Sequence, residues 1–168
     1  VVMAASTVLR LQTIVSREND PMDPVVLTIG SIHGGTQANV IPDEVTLGLN
    51  IRTYSEETQR RVLAAVMRIA RAEAASAGAT REPTITTPEA GHVVVNDPAL
   101  TRRVAAALQK ALGAQQVMEM PAKMTSEDFA EYGRAGVPAL LLHIGAVSPA
   151  KLAEAKRTGV PVPAPHSP

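Results

Sequence analysis

The stretch VVLTIGSIHGGTQANVIPDEVTLGLNIRTY, residues 25–54, decides the fold. Two strand-like runs flank a polar, Gly-rich connection. In the second run Val45, Leu47, Leu49 and Ile51 alternate with Thr46, Gly48, Asn50 and Arg52, the period-two pattern of a sheet with one buried face. Between the runs, Gly34-Gly35 permits backbone angles closed to other residues, and Pro42-Asp43 marks the return. His33, Thr36, Gln37 and Asn39 are then polar groups on a loop held by two strands. Such a loop is either a binding element or a plain hairpin connection, and its residue types serve both.

Working outward, residues 1–17 read as a helix, with Ala4, Val8, Leu11 and Val15 at helical spacing. Asn19-Asp20-Pro21 and Asp23-Pro24 form a turn-rich break before the first strand. After the second strand, Ser55 is a good N-cap, and Glu56 and Glu57 complement the dipole of a second helix. Val62, Val66 and Ile69 form its apolar stripe, and Gly78 suits its stop. Residues 80–87 read as a weaker strand, confined to an edge by Pro83. Helix, strand, strand, helix, strand is satisfied by an α+β arrangement, an antiparallel sheet with both helices on one face. Further on, Asp97-Pro98 starts a third helix with Leu100, Val104, Leu108 and Ala111 on its buried side, ended by Gly113. Ser126-Glu127-Asp128 opens a short helix ending near Gly133 to Gly136. ALLLHI, residues 139–144, is a continuous apolar run of the kind buried on both faces of a parallel sheet. The Pro-rich tail from Val160 cannot form regular structure.

Composition narrows the function classes. The 168 residues are 45% hydrophobic but only 2% aromatic, so the core must be built from aliphatic side chains and Met. Formal net charge is zero, which leaves no electrostatic footprint for nucleic acid. No apolar run reaches the length of a membrane span, and nothing at the N-terminus reads as a signal peptide. With no cysteine, disulfides, thiolate metal sites and Cys nucleophiles are excluded within these residues. The chain starts at Val1 rather than Met, as a mature or truncated product does, and a cytoplasmic location is the default expectation.

Three motifs in order bring a family into view: GGTQANVIPDEVTLGLNIRTY at 34–54, TSEDFAEYGRAGVPALLLHIG at 125–145 and APHSP at 164–168. Together with RENDPMDP at 17–24, they resemble the metal-dependent amidohydrolases that include hippurate hydrolases, N-acyl-amino-acid amidohydrolases (aminoacylases) and auxin-conjugate hydrolases. The resemblance implies an α/β protein in two parts. Residues 1–89 correspond to most of a lid domain that dimerises, through an edge strand or a helix. Residues 93–168 correspond to the C-terminal part of a metal-binding catalytic domain. It also implies that the N-terminal catalytic half, with most metal ligands and the general base, is missing. The expected substrate is an N-acyl amino acid or related amide conjugate, the expected cofactor two divalent ions (Zn or Mn), and the expected partner a second copy of the chain. The rival reading is a non-catalytic dimerisation or binding module.

Candidate residues divide accordingly. His166 is either a solvated tail histidine or, as the resemblance implies, a metal ligand of the intact enzyme. Glu127 and Asp128 are charges at a helix start, which the resemblance puts near the active site without making either the general base. Asn39 is a turn residue or, by resemblance, a donor to the substrate carboxylate, with one subunit's lid reaching the other's site. Gly145, by resemblance, lets substrate approach the backbone closely. Arg52 suits a carboxylate clamp but reads more simply as a solvated residue of a half-buried strand. The resemblance gives His33 no role; His92 and His143 read as structural or incidental, His143 with one partner in the core. No catalytic residue is expected within the chain. The 93–168 part is expected to be the less stable one, because ALLLHI lacks neighbouring strands.

Overall fold

The computed structural model describes residues 1–88, 91–124 and 127–162. The element order is α1 (Val2–Thr13), extended by a π-type turn at Ile14–Glu18, then β1 (Val25–His33), β2 (Thr46–Thr53) and α2 (Glu56–Ser76). Next come α3 (Pro98–Leu112), a 3-10 turn at Ala114–Gln116, α4 (Ala130–Arg134) and α5 (Pro149–Thr158). Among the described residues the fold is a mixed α/β arrangement whose sheet consists of two antiparallel strands. No described helix is long and apolar enough to cross a membrane.

β1 and β2 pair from Val25 opposite Thr53 to His33 opposite Thr46. The register slips by one residue between Ile29 and Ser31, so Gly30 is the extra residue of a β-bulge. Before the bulge, Val25, Leu27 and Ile29, with Ile51 across the pair, face the helices. A lone hairpin is marginal in water unless something packs on it. α1 and α2 supply that cover on one face: Leu11, Ile14, Val62, Ala65, Val66 and Ile69 form a continuous buried cluster with Val25.

The details of α1 depart from the helical spacing read in the sequence. Its buried positions are Ala4, Thr7 and Leu11, followed by Ile14, while Val15 is 38% exposed. A stripe alternating by three and four residues admits Thr7, because its hydroxyl is satisfied by the Met3 carbonyl at 2.9 Å. α2 behaves as its caps dictate. The Ser55 side chain accepts from the Thr58 N–H at 3.1 Å, and Gly78 follows the helix end at φ +68°.

The turn between α1 and β1 is held by side chains. Asp20 accepts from the Met22 N–H at 2.9 Å, and Asn19 donates to the Asp23 carbonyl at 2.6 Å. The Asp23 carboxylate then receives the Thr58 hydroxyl at 2.6 Å and Arg61 at 3.0 Å. The RENDPMDP stretch therefore fastens the start of β1 to the first turns of α2.

Three expectations fail beyond α2. Residues 80–87 form no strand. ALLLHI is likewise not a strand, and Ile144 is 84% exposed. A strand exists only through its partners, and this segment has few: Asp97 N–H donates to the Ala139 carbonyl at 2.8 Å, and the Asn96 amide bonds both ways to the Leu141 backbone. α3 starts and stops where expected, with Asp97 capping the Leu100 N–H at 2.6 Å, but buries no residue. Its Leu100, Val104 and Leu108 are half-buried and Ala111 is exposed. α5 was not anticipated; Ser148 caps it, with Pro149 at the first position.

If the shared core carries the N-terminal stability, truncating it is expensive while truncating the outer face is not. Ile69→Ala is expected to lower unfolding free energy by about 2–5 kcal/mol. Val26→Ala, on an exposed side chain, should change it by less than about 0.5 kcal/mol. Urea denaturation followed by circular dichroism checks this, and equal losses would contradict the assigned core.

Candidate functional site

The loop between β1 and β2 is shaped at its base by close approach. A side chain at Gly34 would meet Val45 Cγ2 at 2.7 Å, and Gly35 holds φ +78°. At its tip, residues 37–40 form a β-turn closed by Val40 N–H to the Gln37 carbonyl at 3.3 Å. Asn39 is the third residue of that turn, and it is exposed. His33 ends β1 opposite Thr46 and is also exposed.

A separate cleft of about 900 Å³ opens where β2 runs into α2. Its walls are Ile51 to Glu56, the 91–96 segment, the Val104 and Leu108 side of α3, residues 116–124, and 140–145. Gly145 lines it, with open space where a side chain would stand. Asn39 does not line this cleft, so within one chain the two expected substrate-binding residues do not share a cavity.

Arg52 is more occupied than its sequence position suggested. It donates to the Met124 carbonyl at 2.7 Å and to Asn50 Oδ1 at 3.0 Å. Tyr54, two residues on and therefore on the same side of the strand, donates its hydroxyl to the Ala122 carbonyl at 3.0 Å. Sequence reasoning missed this pair, because nothing local marks a side chain that tethers a segment seventy positions away. The only available signal was the alternation placing Arg52 and Tyr54 together.

Glu127 and Asp128 are exposed and precede α4, which starts at Ala130 rather than at the 126–128 stretch expected to open it. Asp128 contributes its carbonyl to the first turn, accepting from the Glu131 N–H at 3.1 Å. His143 is exposed rather than partnered in the core. His92 has two partners: Nδ1 lies 3.1 Å from Glu56 Oε1, and Nε2 lies 3.7 Å from Glu131 Oε1. His166 and Ser126 lie outside the described residues. Among the described residues no group of three or more His, Asp or Glu side chains could hold a metal ion. The expected pair of divalent ions therefore does not fit the described residues alone.

Residues 1–77 match the sequence profile of the Peptidase dimerisation domain family. The chain is 36% identical over 93% of its length to an N-acetyldiaminopimelate deacetylase of Enterococcus faecalis, covering 40% of that protein. It is 34% identical over 79% of its length to an IAA-amino acid hydrolase of Arabidopsis thaliana, covering 30% of it. A crystal structure described as an aminohydrolase from methicillin-resistant Staphylococcus aureus superimposes with a TM-score of 0.65 at 30% identity, over 82% of this chain and 34% of that one. The chain thus spans about two-fifths or less of the length of these relatives.

The tethers from β2 make a testable demand on residues 122–124. Lys123 is exposed between two carbonyls that Arg52 and Tyr54 hold. Removing both donors, as Arg52→Ala with Tyr54→Phe, should speed tryptic cleavage after Lys123 about fivefold, the equivalent of about 1 kcal/mol of lost hydrogen bonding. An unchanged rate would show that the tethers do not restrain the segment. Residues 1–77 are thus similar to the Peptidase dimerisation domain family, and most of the chain is similar to part of a deacetylase, an amino acid hydrolase and an aminohydrolase.

Proposed function

We propose that the chain is part of a metal-dependent amidohydrolase that cleaves the amide bond of N-acyl amino acids or related amide conjugates. The observation that carries this reading is the 36% identity to an N-acetyldiaminopimelate deacetylase, sustained over 93% of the chain. In this reading residues 1–89 form the lid that pairs two subunits, and residues 93–168 form the C-terminal part of the catalytic domain. The unpaired outer edges of β1 and β2 support a two-fold pairing of lids, since an open edge is a template for another strand.

The side chains take the following roles. Asn39, presented on an exposed turn, donates its amide N–H to the substrate carboxylate. It does so at the site of the other subunit, a geometry supported by its separation from the cleft that Gly145 lines. Gly145 offers backbone free of a side chain for close approach of substrate. Glu127 and Asp128, exposed ahead of α4, orient a neighbouring group of the site. His166 supplies one metal ligand. When bound, two divalent ions (Zn or Mn) would polarise the amide carbonyl and activate water. His166 would be joined there by ligands from outside the described residues, among which no group of three or more His, Asp or Glu could hold a metal ion. The general base lies outside this sequence, and the chain alone is inactive. That last property also fits a pure dimerisation and substrate-holding module, the second reading.

Assay of the longer protein containing this chain, with and without added Zn²⁺ or Mn²⁺, separates the two. The hydrolase reading expects metal-dependent release of amino acid from N-acyl amino acids, and no turnover on any of them would sink it. Asn39→Ala in that protein should raise KM roughly tenfold, the loss of one hydrogen bond to a charged group, with kcat less affected.

A further inference from the structure

The part of the chain that is similar to a dimerisation domain presents two open strand edges, and they are not equivalent. Successive residues of a strand point to opposite faces, so a surface that meets several in a row lies along the strand's edge rather than on one face. Ile51, Arg52 and Thr53 all line the cleft, together with residues 116–124 and 140–145. The second half of the chain therefore flanks the end of β2 along its edge. No residue of β1 lines the cleft, and among the described residues no strand pairs with the far side of β1. α2 lies against β2, whereas the π-type turn at Ile14–Glu18 lies against β1. Exposed apolar groups accompany this free edge: Val26 on the strand, Ile32 near its end and Val15 on the turn.

β1 also lacks the features that usually keep edges apart. Its nine residues, VVLTIGSIH, include no Lys, Arg, Asp, Glu or Pro. The bulge at Gly30 is the one interruption, and it leaves Val25–Ile29 as the regular run. Within that run Val25, Leu27 and Ile29 face the helices, while Val26 and Thr28 face outward and are exposed. A two-fold axis through Leu27 pairs the run with a second copy of itself. Leu27 then stands opposite Leu27, Val25 opposite Ile29, and Val26 opposite Thr28. Opposite residues of an antiparallel pair share a face. Apolar side chains therefore meet apolar ones beneath the helices, and the outer face brings no like charges together.

We propose that two copies of this chain join edge to edge through β1, with Leu27 on the two-fold axis, to give a continuous sheet in the order β2-β1-β1-β2. This surface is the one behind the paired-lid reading of residues 1–89, on which the proposal rests.

Sedimentation equilibrium of the full chain, without substrate or metal, reads the association. The parent chain should be a dimer. Val26→Glu with Thr28→Glu sets carboxylates opposite one another across the axis and should weaken the dimer about tenfold. Thr46→Glu with Asn50→Glu, the same change on the outward side of β2, should alter it by less than about twofold. All four positions are exposed, and circular dichroism checks that both variants fold. A monomeric parent chain would overturn the proposal, as would equal weakening in the two variants or a loss confined to the β2 variant. If Val26→Glu with Thr28→Glu does not fold, cross-linking decides, because the chain has no cysteine. Chains carrying Val26→Cys mixed with chains carrying Thr28→Cys should form disulfide-linked pairs under mild oxidation faster than either alone. A mixture no faster than its components would refute the pairing. The hydrolase reading fails separately, on absence of turnover by the longer protein, whatever the state of association.

Discussion

A two-stranded sheet cannot stand alone in water, and the rest of this molecule follows from how that is remedied. β1 and β2 bury one face beneath α1 and α2, where Leu11, Ile14, Val62 and Ile69 exclude water from Leu27, Ile29 and Ile51. The Asp23 network ties the entry of β1 to the first turns of α2, so strand and helix share one anchor. With that unit in place, the hairpin loop is presented outward at one end. At the other end, the β2–α2 junction is fixed in space.

The second half of the chain is attached to that junction rather than to the core. Arg52 and Tyr54 hold two backbone carbonyls, and Glu56 meets His92. All of these are polar contacts with substantial exposure, individually weak in water. After Ala90, Ala130 is the only buried residue among those described. The apolar side chains of this half are instead left half-covered around the cleft, with Leu112, Met118 and Ile144 strongly exposed. The two parts are thus stabilised by different physics, apolar burial in one and dispersed hydrogen bonding in the other.

That difference also explains what could be read from the sequence. Ser55, Gly78, Asp97 and Gly113 act through neighbours within a few positions, and each marks a helix boundary where the letters placed it. The hairpin was legible for the same reason, as alternation is local. Val15 was misassigned because apolar residues at 14 and 15 fit a helical stripe equally well, and only packing selects Ile14. Residues 80–87 and 139–144 have strand-like composition without strand partners among the described residues, and pairing is a property of distant segments. The candidate site was least legible. Asn39 and Gly145 came from motif resemblance, and the structure puts Asn39 on an exposed turn away from the cleft that Gly145 lines, while Arg52, Tyr54 and His92 gain their partners through contacts of 36 to 72 positions in separation.

Native-state amide hydrogen exchange across the whole chain tests the central claim, that a single apolar core under α1 and α2 carries the stability. Exchange from the best-buried elements reports global unfolding, whereas weakly packed ones open locally at much smaller free energy. The account predicts slowest exchange in α2 and β1, with α3 and α5 exchanging through separate, cheaper openings. Uniform protection across α2, α3 and α5 would contradict it, because it would mean that the polar tethers bind the two parts into one cooperative unit.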